Sequence, residues 1–423
     1  MTIKTIQGTH DILPGDVELW QRIENATRRI FPRYGFAEIR TPIFEWTELF
    51  SRGIGVATDI VQKEMYSLPG SKGRSMTLRP EGTAPVVRSY LQHKLGHSGK
   101  IERLYYIGQM FRHERPQKGR YRQFHQIGAE VIGSESPAME AEVLHMLTRL
   151  LSELGLDDFR IVVNSVGDTH CRPNYLEILQ RSLKPLIGDF CNQCQSRTKT
   201  NPLRILDCKV TTCQELIKKL PKLSDSLCDD CITHHQELLS WLDEYGIDYH
   251  LDETLVRGLD YYIRTTFEII TDQLGPTQNA LLGGGRYDGL SELLGGPRAP
   301  GYGFALGLER LVLLLSGRDN LKTKYTSPRP QIFLAHLDDG ALRYCVNLAA
   351  ELRDQGIHVL VDYEGRSLKS QMKLSNRLGS DVTCVIGETE ITSGRLVLRR
   401  MRDGKEIPAE ISKTGKTLLE LIS

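Results

Sequence analysis

Residues 104–133 read LYYIGQMFRHE, then a basic, turn-forming RPQKGRYR, then QFHQIGAEVIG. The two-residue period of a strand puts Phe124, Gln126, Gly128 and Glu130 on one face. An aromatic ring, an amide, a glycine and a carboxylate make a poor core. They make a reasonable pocket, because the glycine leaves room while the amide and carboxylate accept hydrogen bonds from a small polar cation. An exposed sheet face with scattered polar residues fits this fragment equally well. The preceding strand ends in Arg112, and the tip adds Arg115, Lys118, Arg120 and Arg122. Guanidinium forks bind phosphate oxygens in pairs, so the cations suggest a polyphosphate or nucleic acid. A solvated basic loop is the competing reading.

Two strands around such a turn imply an antiparallel hairpin with a functional loop at its tip. Residues 1–170 and 246–316 mix amphipathic helices with alternating strands, whereas 171–245 is helix-rich, contains cysteines and looks inserted. Residues 317–330 carry prolines and no apolar periodicity, which predicts a linker. Beyond it, in 331–423, the strand-like QIFLAHL, IHVLVDY and VTCVIG alternate with two helical segments, an α/β pattern.

The bulk composition is that of a globular chain, with 40% hydrophobic and 25% charged residues in 423. No apolar run approaches the ~18 residues of a membrane span. MTIKTIQGTHDILPGD lacks a secretory pattern, so a cytoplasmic protein is expected. Lys and Arg total 54 against 53 Asp and Glu, so a nucleic acid partner would have to be held by local basic patches. Of nine cysteines, six lie between Cys191 and Cys231, a pattern unlike a secreted disulfide framework. The paired CxxC elements Cys191–Cys194 and Cys228–Cys231 suggest a structural Zn2+ site, with Cys208 and Cys213 confusing the ligand choice. Ordinary buried or free thiols are the alternative.

As a whole, FRHERPQKGRYRQFHQIGAE closely resembles motif 2 of the class II aminoacyl-tRNA synthetases in its histidyl form. RYGFAEIRTPIFE (33–45) resembles motif 1, TLRPEGTA (77–84) a substrate-contacting segment, and GYGFALGLERLVLLL (301–315) motif 3. LVRGLDYY (255–262) and GGGRYDGL (283–290) are similar to two segments peculiar to the histidine-specific family. The resemblance implies an α+β class II catalytic domain, an antiparallel sheet flanked by helices with a helical insertion. It also implies a C-terminal α/β anticodon-binding domain at 331–423 and a homodimer formed through motif 1. The implied function is that of a histidine–tRNA ligase, using L-histidine, ATP with Mg2+, and tRNA(His).

By resemblance, Arg112 meets the ATP α-phosphate, and Arg257 faces it from the opposite side. Glu114 and Phe124 hold adenine, while Arg120 and Arg310 meet the β- and γ-phosphates. Glu81, Thr83 and Gln126 match positions that hold the histidine ammonium. Glu130, Tyr261 and Tyr262 match those around the imidazole, and Tyr287 closes the pocket. Arg115 and Gln117 reach the acceptor end of tRNA.

In the C-terminal domain Arg366, Lys369, Lys373 and Arg377 are spaced for one helical stripe, a track for RNA phosphates. A solvated helix face would look the same. Two rival functions use the same fold: a regulatory subunit of histidine biosynthesis, and a sensor of uncharged tRNA. The first lacks the C-terminal domain and an intact RGLDYY segment. The second is normally fused to a kinase, and no H-R-D or G-x-G-x-x-G-x-V pattern occurs here.

Overall fold

Alternation along the strands decides which side of the main sheet is core. In β6 (Gln123–Ile132), Ile127, Ala129 and Val131 join the large apolar cluster. Its partner β5 (Glu102–Phe111) contributes Tyr105 to that cluster and sends Leu104, Tyr106 and Met110 to a smaller one on the other face. The large cluster is completed by helices with matching apolar stripes. Helix α1 (Val17–Ile30) buries Trp20, Ile23, Ala26, Thr27 and Ile30, at helical spacing along one face.

In the computed structural model the described residues are 3–55, 58–70, 73–117, 119–275, 279–317, 329–414, 416–417 and 420. They fall into two compact units, Met1–Leu321 and Lys322–Ser423. The first holds an eight-stranded sheet in the order β1-β5-β6-β11-β10-β9-β7-β8. Besides β5 and β6, its strands are β1 (Ala37–Glu38), β7 (Arg160–Ser165), β8 (Tyr249–Leu251), β9 (Ile263–Ile270), β10 (Ala280–Arg286) and β11 (Gly301–Gly307). All pairs are antiparallel except β1 with β5 and β7 with β8. A separate three-stranded sheet, β2 (Phe44–Trp46), β4 (Ser75–Leu78) and β3 (Ser67–Pro69), leads into α3 (Thr83–Gln92); α2 (Thr47–Ile54) packs on α3.

Helix α4 (Pro137–Glu153) carries a carboxylate, Glu140, into the core. Its Oε1 accepts from Arg286 Nε at 2.6 Å, and His234 Nε2 lies 2.8 Å away. Arg286, itself fully buried, also donates to the Ser134 carbonyl (2.9 Å) and to Asp288 (2.8 Å). Burial pushes the Glu140 carboxyl up, but the Arg286 guanidinium and His234 outweigh it and leave its pKa lowered. Asp288 in turn accepts from the Gly301 backbone N–H, so the cluster joins α4, the end of β10 and the start of β11.

Between β7 and β8 the chain makes four helices: α5 (Arg172–Leu183), α6 (Asn192–Thr200), α7 (Thr211–Ile217) and α8 (Asp229–Glu244). The first three, with their connections, enclose a cluster of their own around Tyr175, Leu179, Phe190 and Ile205. Helix α8 instead packs on α4 and sends Leu238 and Leu242 into the main core. The single zinc set expected from Cys191, Cys194, Cys228 and Cys231 is therefore corrected. Cys191 and Cys194 gather with Cys208 and Cys213, while Cys228 and Cys231 gather with Asp168 and Cys171. Each CxxC starts a different helix, and those helices pack into different cores.

The second unit is a five-stranded sheet, β13-β12-β14-β15-β16. Strands β12 (Ile332–His336), β13 (Val359–Val361) and β14 (Val382–Ile386) run parallel; β15 (Arg395–Arg400) and β16 (Glu406–Glu410) add antiparallel. The helices Asp339–Asp354 and Leu368–Leu378 follow the sequence pattern. Strand β16, with Pro408 on an edge, and the short helix Glu388–Ser393 do not show in it. Most of the expected linker, 317–330, lies outside the described residues. Among the described residues no helix is long and apolar enough to cross a membrane.

Removing one partner of a fully buried ion pair strands the other charge, at a cost of about 3–5 kcal/mol. Arg286→Ala should lower unfolding stability by about that much, read as a shift of the urea midpoint. A loss below ~1 kcal/mol, the scale of a surface pair, would mean that the cluster is not dry.

Candidate functional site

The sheet face not covered by α1, α4, α8 and α10 (Leu308–Ser316) holds a cavity of about 290 Å³. Its walls come from far apart in sequence: the turn into α3, the β5–β6 hairpin, the 257–262 loop, β9, β10, and the junction of β11 with α10. Of the residues singled out in the sequence, Glu81, Thr83, Arg112, Glu114, Arg120, Phe124, Gln126, Arg257, Tyr261, Tyr262 and Arg310 line it.

Glu130 and Tyr287 lie behind that wall. Glu130 is fully buried: Thr83 Oγ1 donates to its Oε1 at 2.7 Å and the Tyr287 hydroxyl to its Oε2 at 2.6 Å. Opposite it stands Gly303, where any side chain would collide with the carboxylate. Burial, ahead of every neighbouring charge, pushes the Glu130 carboxyl up to about 8; the Tyr287 and Thr83 hydroxyls oppose the shift and Glu81 adds to it. Glu81 is also committed within the fold, because its carboxylate accepts from the backbone N–H groups of Thr83 (2.7 Å) and Ala84 (2.9 Å) at the start of α3.

The cations converge from three sides. Arg112 donates to the Pro80 carbonyl at 2.9 Å and has its guanidinium carbon 5.3 Å from the centre of the Phe124 ring. Glu114 lies 3.8 Å from Arg112 and 3.5 Å from Arg120. Arg257 pairs with Glu268, and its guanidinium lies so close over β10 that a Cβ on Gly283 would stand 2.6 Å from it. Arg310 donates to the Ala280 carbonyl; burial first, then Arg120, lowers its pKa. Four guanidinium groups around one cavity, with two carboxylates paired among them, form a site suited to an anion.

The opposite end is polar, and the Glu81 carboxylate is part of it. On the cavity lining, Gln126 Oε1 and the Tyr261 hydroxyl are buried without a hydrogen-bond partner among the described residues. Buried polar atoms are nearly always paired, so these two mark where a polar ligand would bond. The Tyr261 and Tyr262 rings lie 4.7 Å apart, and Tyr287 meets Tyr261 edge-on at 5.7 Å. Two residues beyond them, Arg264 has φ of +50°, rare for a side-chain-bearing residue. Backbone hydrogen bonds to Val166 and Gly167 hold it there.

Sequence reasoning missed Glu268 and Tyr106. Glu268 had a signal, as a lone carboxylate in the apolar strand segment FEII. Tyr106 had a weaker one: it stands directly across from Gly128, whose missing side chain makes room for the ring. Arg115 and Gln117 sit at the exposed hairpin tip, and Lys118 lies outside the described residues. In the second unit Lys369, Lys373 and Arg377 are exposed on the helix Leu368–Leu378. Arg366 does not share their stripe. It precedes the helix, tied through its side chain and backbone N–H to the buried Asp362 carboxylate.

A family model described as histidyl-tRNA synthetase matches residues 8–311, and one described as an anticodon binding domain matches 331–421. The chain is 48% identical over 420 residues to the histidine–tRNA ligase of Syntrophotalea carbinolica, covering 99% of each. It is 46% identical over 422 residues to that of Halothermothrix orenii, covering 100% of each. Among solved structures, apo histidyl-tRNA synthetase of S. aureus aligns with a TM-score of 0.82 at 40% identity, over 99% of this chain and 100% of that one.

The buried Glu130 gives a test of the site's electrostatics. Unfolded, its carboxyl ionises near the ordinary 4.5; folded, near 8. Between those values the unfolded chain holds fewer protons, so the folding stability due to this group falls as pH rises, and levels off above 8. Wild type should therefore lose more stability from pH 5 to pH 8 than Glu130→Gln does, measured by urea unfolding. Parallel losses would place the folded carboxyl near its ordinary value.

Proposed function

Because this chain belongs to the histidyl-tRNA synthetase family, we propose that its cavity joins L-histidine to ATP and then passes histidine to tRNA(His). The observation that carries the reading is the cavity's division between converging guanidinium groups and a polar part that holds Gln126, Tyr261 and the Glu81 carboxylate. In the first step a carboxylate oxygen of histidine attacks the α-phosphorus of ATP. The bond to the bridging oxygen breaks, and pyrophosphate leaves. Two anions must approach while charge builds on the α-phosphoryl oxygens, so preorganised cations are the main requirement. In the second step the 3′-terminal ribose hydroxyl of tRNA attacks the carbonyl of the adenylate and AMP leaves.

Arg112, just past the end of β5, and Arg257, over Gly283 of β10, both line the cavity, and we assign them to the α-phosphate. Arg120 and Arg310 take the β- and γ-phosphates. Phe124 stacks on adenine, with Glu114 accepting from its amino group. Gln126, Glu81 and Thr83 face the ammonium of histidine, and Tyr261 with Tyr262 the imidazole. Glu130 acts from behind, holding the Thr83 and Tyr287 hydroxyls, and Tyr287 closes that side. Unpaired polar atoms there would reject apolar analogues, because such analogues leave them unsatisfied.

Mg2+ would neutralise the pyrophosphate part of ATP. The lining carboxylates Glu81, Glu114, Glu268 and Glu309 are each engaged with N–H donors or cations. That donor set fits an ion held chiefly by phosphate oxygens, as Mg2+ commonly is.

For tRNA, Arg115 and Gln117 at the hairpin tip suit the acceptor end. Lys369, Lys373 and Arg377, with Arg366 just ahead of their helix, suit the phosphates of the anticodon stem. The segment 33–45 would form the interface of a homodimer, and the protein would act in the cytoplasm.

Amino-acid-dependent ATP–pyrophosphate exchange tests the reading. Histidine alone among the twenty should support exchange, and Arg257→Ala should cut its rate at least ~10²-fold, the scale of losing one preorganised donor. Histidine binding without exchange would overturn the assignment in favour of a sensor or regulatory subunit.

A further inference from the structure

The segment from α5 to α7 is held by a small core of its own, separate from the main one. Helix α6, nine residues long, buries only Cys194. Three of the residues in the local core are cysteines: Cys194, Cys208 and Cys213. Small modules with too little core commonly rely on a metal or disulfides. Every cysteine here is a free thiol.

The sulfur atoms are spaced for a metal. In each of two groups, Cys191–Cys194–Cys208–Cys213 and Asp168–Cys171–Cys228–Cys231, the four ligand atoms lie within 4.8 Å of one another. Zinc bound tetrahedrally at ~2.3 Å from sulfur sets its ligand sulfurs ~3.8 Å apart. Cys191 Sγ is 3.9 Å from Cys208 Sγ, and Cys171 Sγ is 3.8 Å from Cys231 Sγ. A disulfide would require ~2.05 Å. The Asp168 oxygen completes the second group, 3.6 Å from Cys171 Sγ and 3.9 Å from Cys228 Sγ.

Local structure repeats between the groups. Cys191 and Cys228 each sit at an N-cap in extended conformation, without a side-chain capping bond, and Cys194 and Cys231 follow in the first helical turn. The partial positive charge of a helix N-terminus favours thiolate there. Backbone N–H groups already point at sulfur, from Cys191 to Cys213 (3.3 Å) and from Asp168 to Cys171 (3.3 Å). Three of the four residues in each group are buried, and each group offers four ligands, which leaves no open position for a substrate.

We propose that this region holds two structural Zn2+ ions, one on Cys191, Cys194, Cys208 and Cys213, the other on Asp168, Cys171, Cys228 and Cys231. The first staples α6 to the insertion's core. The second ties the end of β7 to the starts of α5 and α8. Arg264 lies 3.5 Å from the outer Asp168 oxygen, and Arg172, next to Cys171, donates to the Tyr262 carbonyl at 2.6 Å. The second ion thus anchors the loop that carries Tyr261 and Tyr262.

The full-length protein, purified without chelator or added metal, should contain two zinc per chain by elemental mass spectrometry. Zinc-edge X-ray absorption of the same sample should show a shell of about 3.5 sulfurs near 2.3 Å, the mean of a four-sulfur and a three-sulfur site. Cys194→Ser and Cys231→Ser should each remove one ion, and the absorption spectrum of the unaltered protein stands even if a variant fails to fold. One zinc, lost in Cys194→Ser alone, would overturn the Asp168 site; one lost in Cys231→Ser alone would overturn the four-thiol site. No zinc, or a shell dominated by oxygen or nitrogen, would overturn both. Zinc content is read without activity, so this outcome is independent of the exchange assay.

Discussion

In β6, odd-numbered residues from Ile127 to Val131 face the helix layer, and the even-numbered Gln126, Gly128 and Glu130 face the other way. Its neighbours obey the same division, because antiparallel pairing in fixed register leaves each residue one face to choose. Phe304 and Leu306 of β11 enter the apolar cluster, while Gly303 and Ala305 pair with Glu130 and Gly128. The helices α1, α4, α8 and α10 cover one face completely. The other face is packed in part by α3 and the smaller apolar cluster, and keeps room for polar side chains beside it. A slip of one residue in β6 would drive a carboxylate and an amide into the leucine layer and empty the cavity wall.

That constraint makes the charge arrangement affordable only at particular places. Glu140 and Arg286 cross the dry side together and satisfy each other, with Asp288 and His234 completing the group. On the open side the balance is deliberately uneven. Glu268 and Glu114 meet some of the guanidinium charge, but burial first, and then the neighbouring Arg120, still lower the pKa of Arg310. An anion relieves local repulsion of this kind, as the triphosphate and carboxylate proposed for the site would. The glycines at 283 and 303 permit it sterically, since a guanidinium and a carboxylate occupy the volume that their side chains would fill.

The insertion is bound to the site by short covalent and polar links. Its flanking residues Val166 and Gly167 hold Arg264 in its left-handed conformation. Arg172, at the head of α5, holds the Tyr262 carbonyl. The tyrosine loop therefore rests on the same few residues that frame the Asp168–Cys171 group. Asn201, at the end of α6, also donates to Asp260 of that loop at 2.6 Å, so the insertion borders Arg257 as well as the tyrosines, while Arg112, Arg120 and Arg310 rest on the β5–β6 hairpin and α10.

Much of this is legible in the sequence. The hairpin around residues 112–122, its period-2 face and the parallel α/β pattern of the second unit all follow from local periodicity, which depends on neighbouring residues alone. The ordered motifs named the family because residue type and spacing survive without geometry. What the sequence left open depended on contacts between distant segments. Whether Glu130 stands on the cavity wall or behind it is set by Thr83 and Tyr287, 47 and 157 residues away. Arg286, read with a histidine-specific segment, proved to be a core ion pair because α4 delivers Glu140 to it. Arg366 left its helical stripe because Asp362 holds it before the helix begins. The cysteines were divided not by their spacing but by which core each following helix enters, and one-dimensional spacing carries no information about that choice.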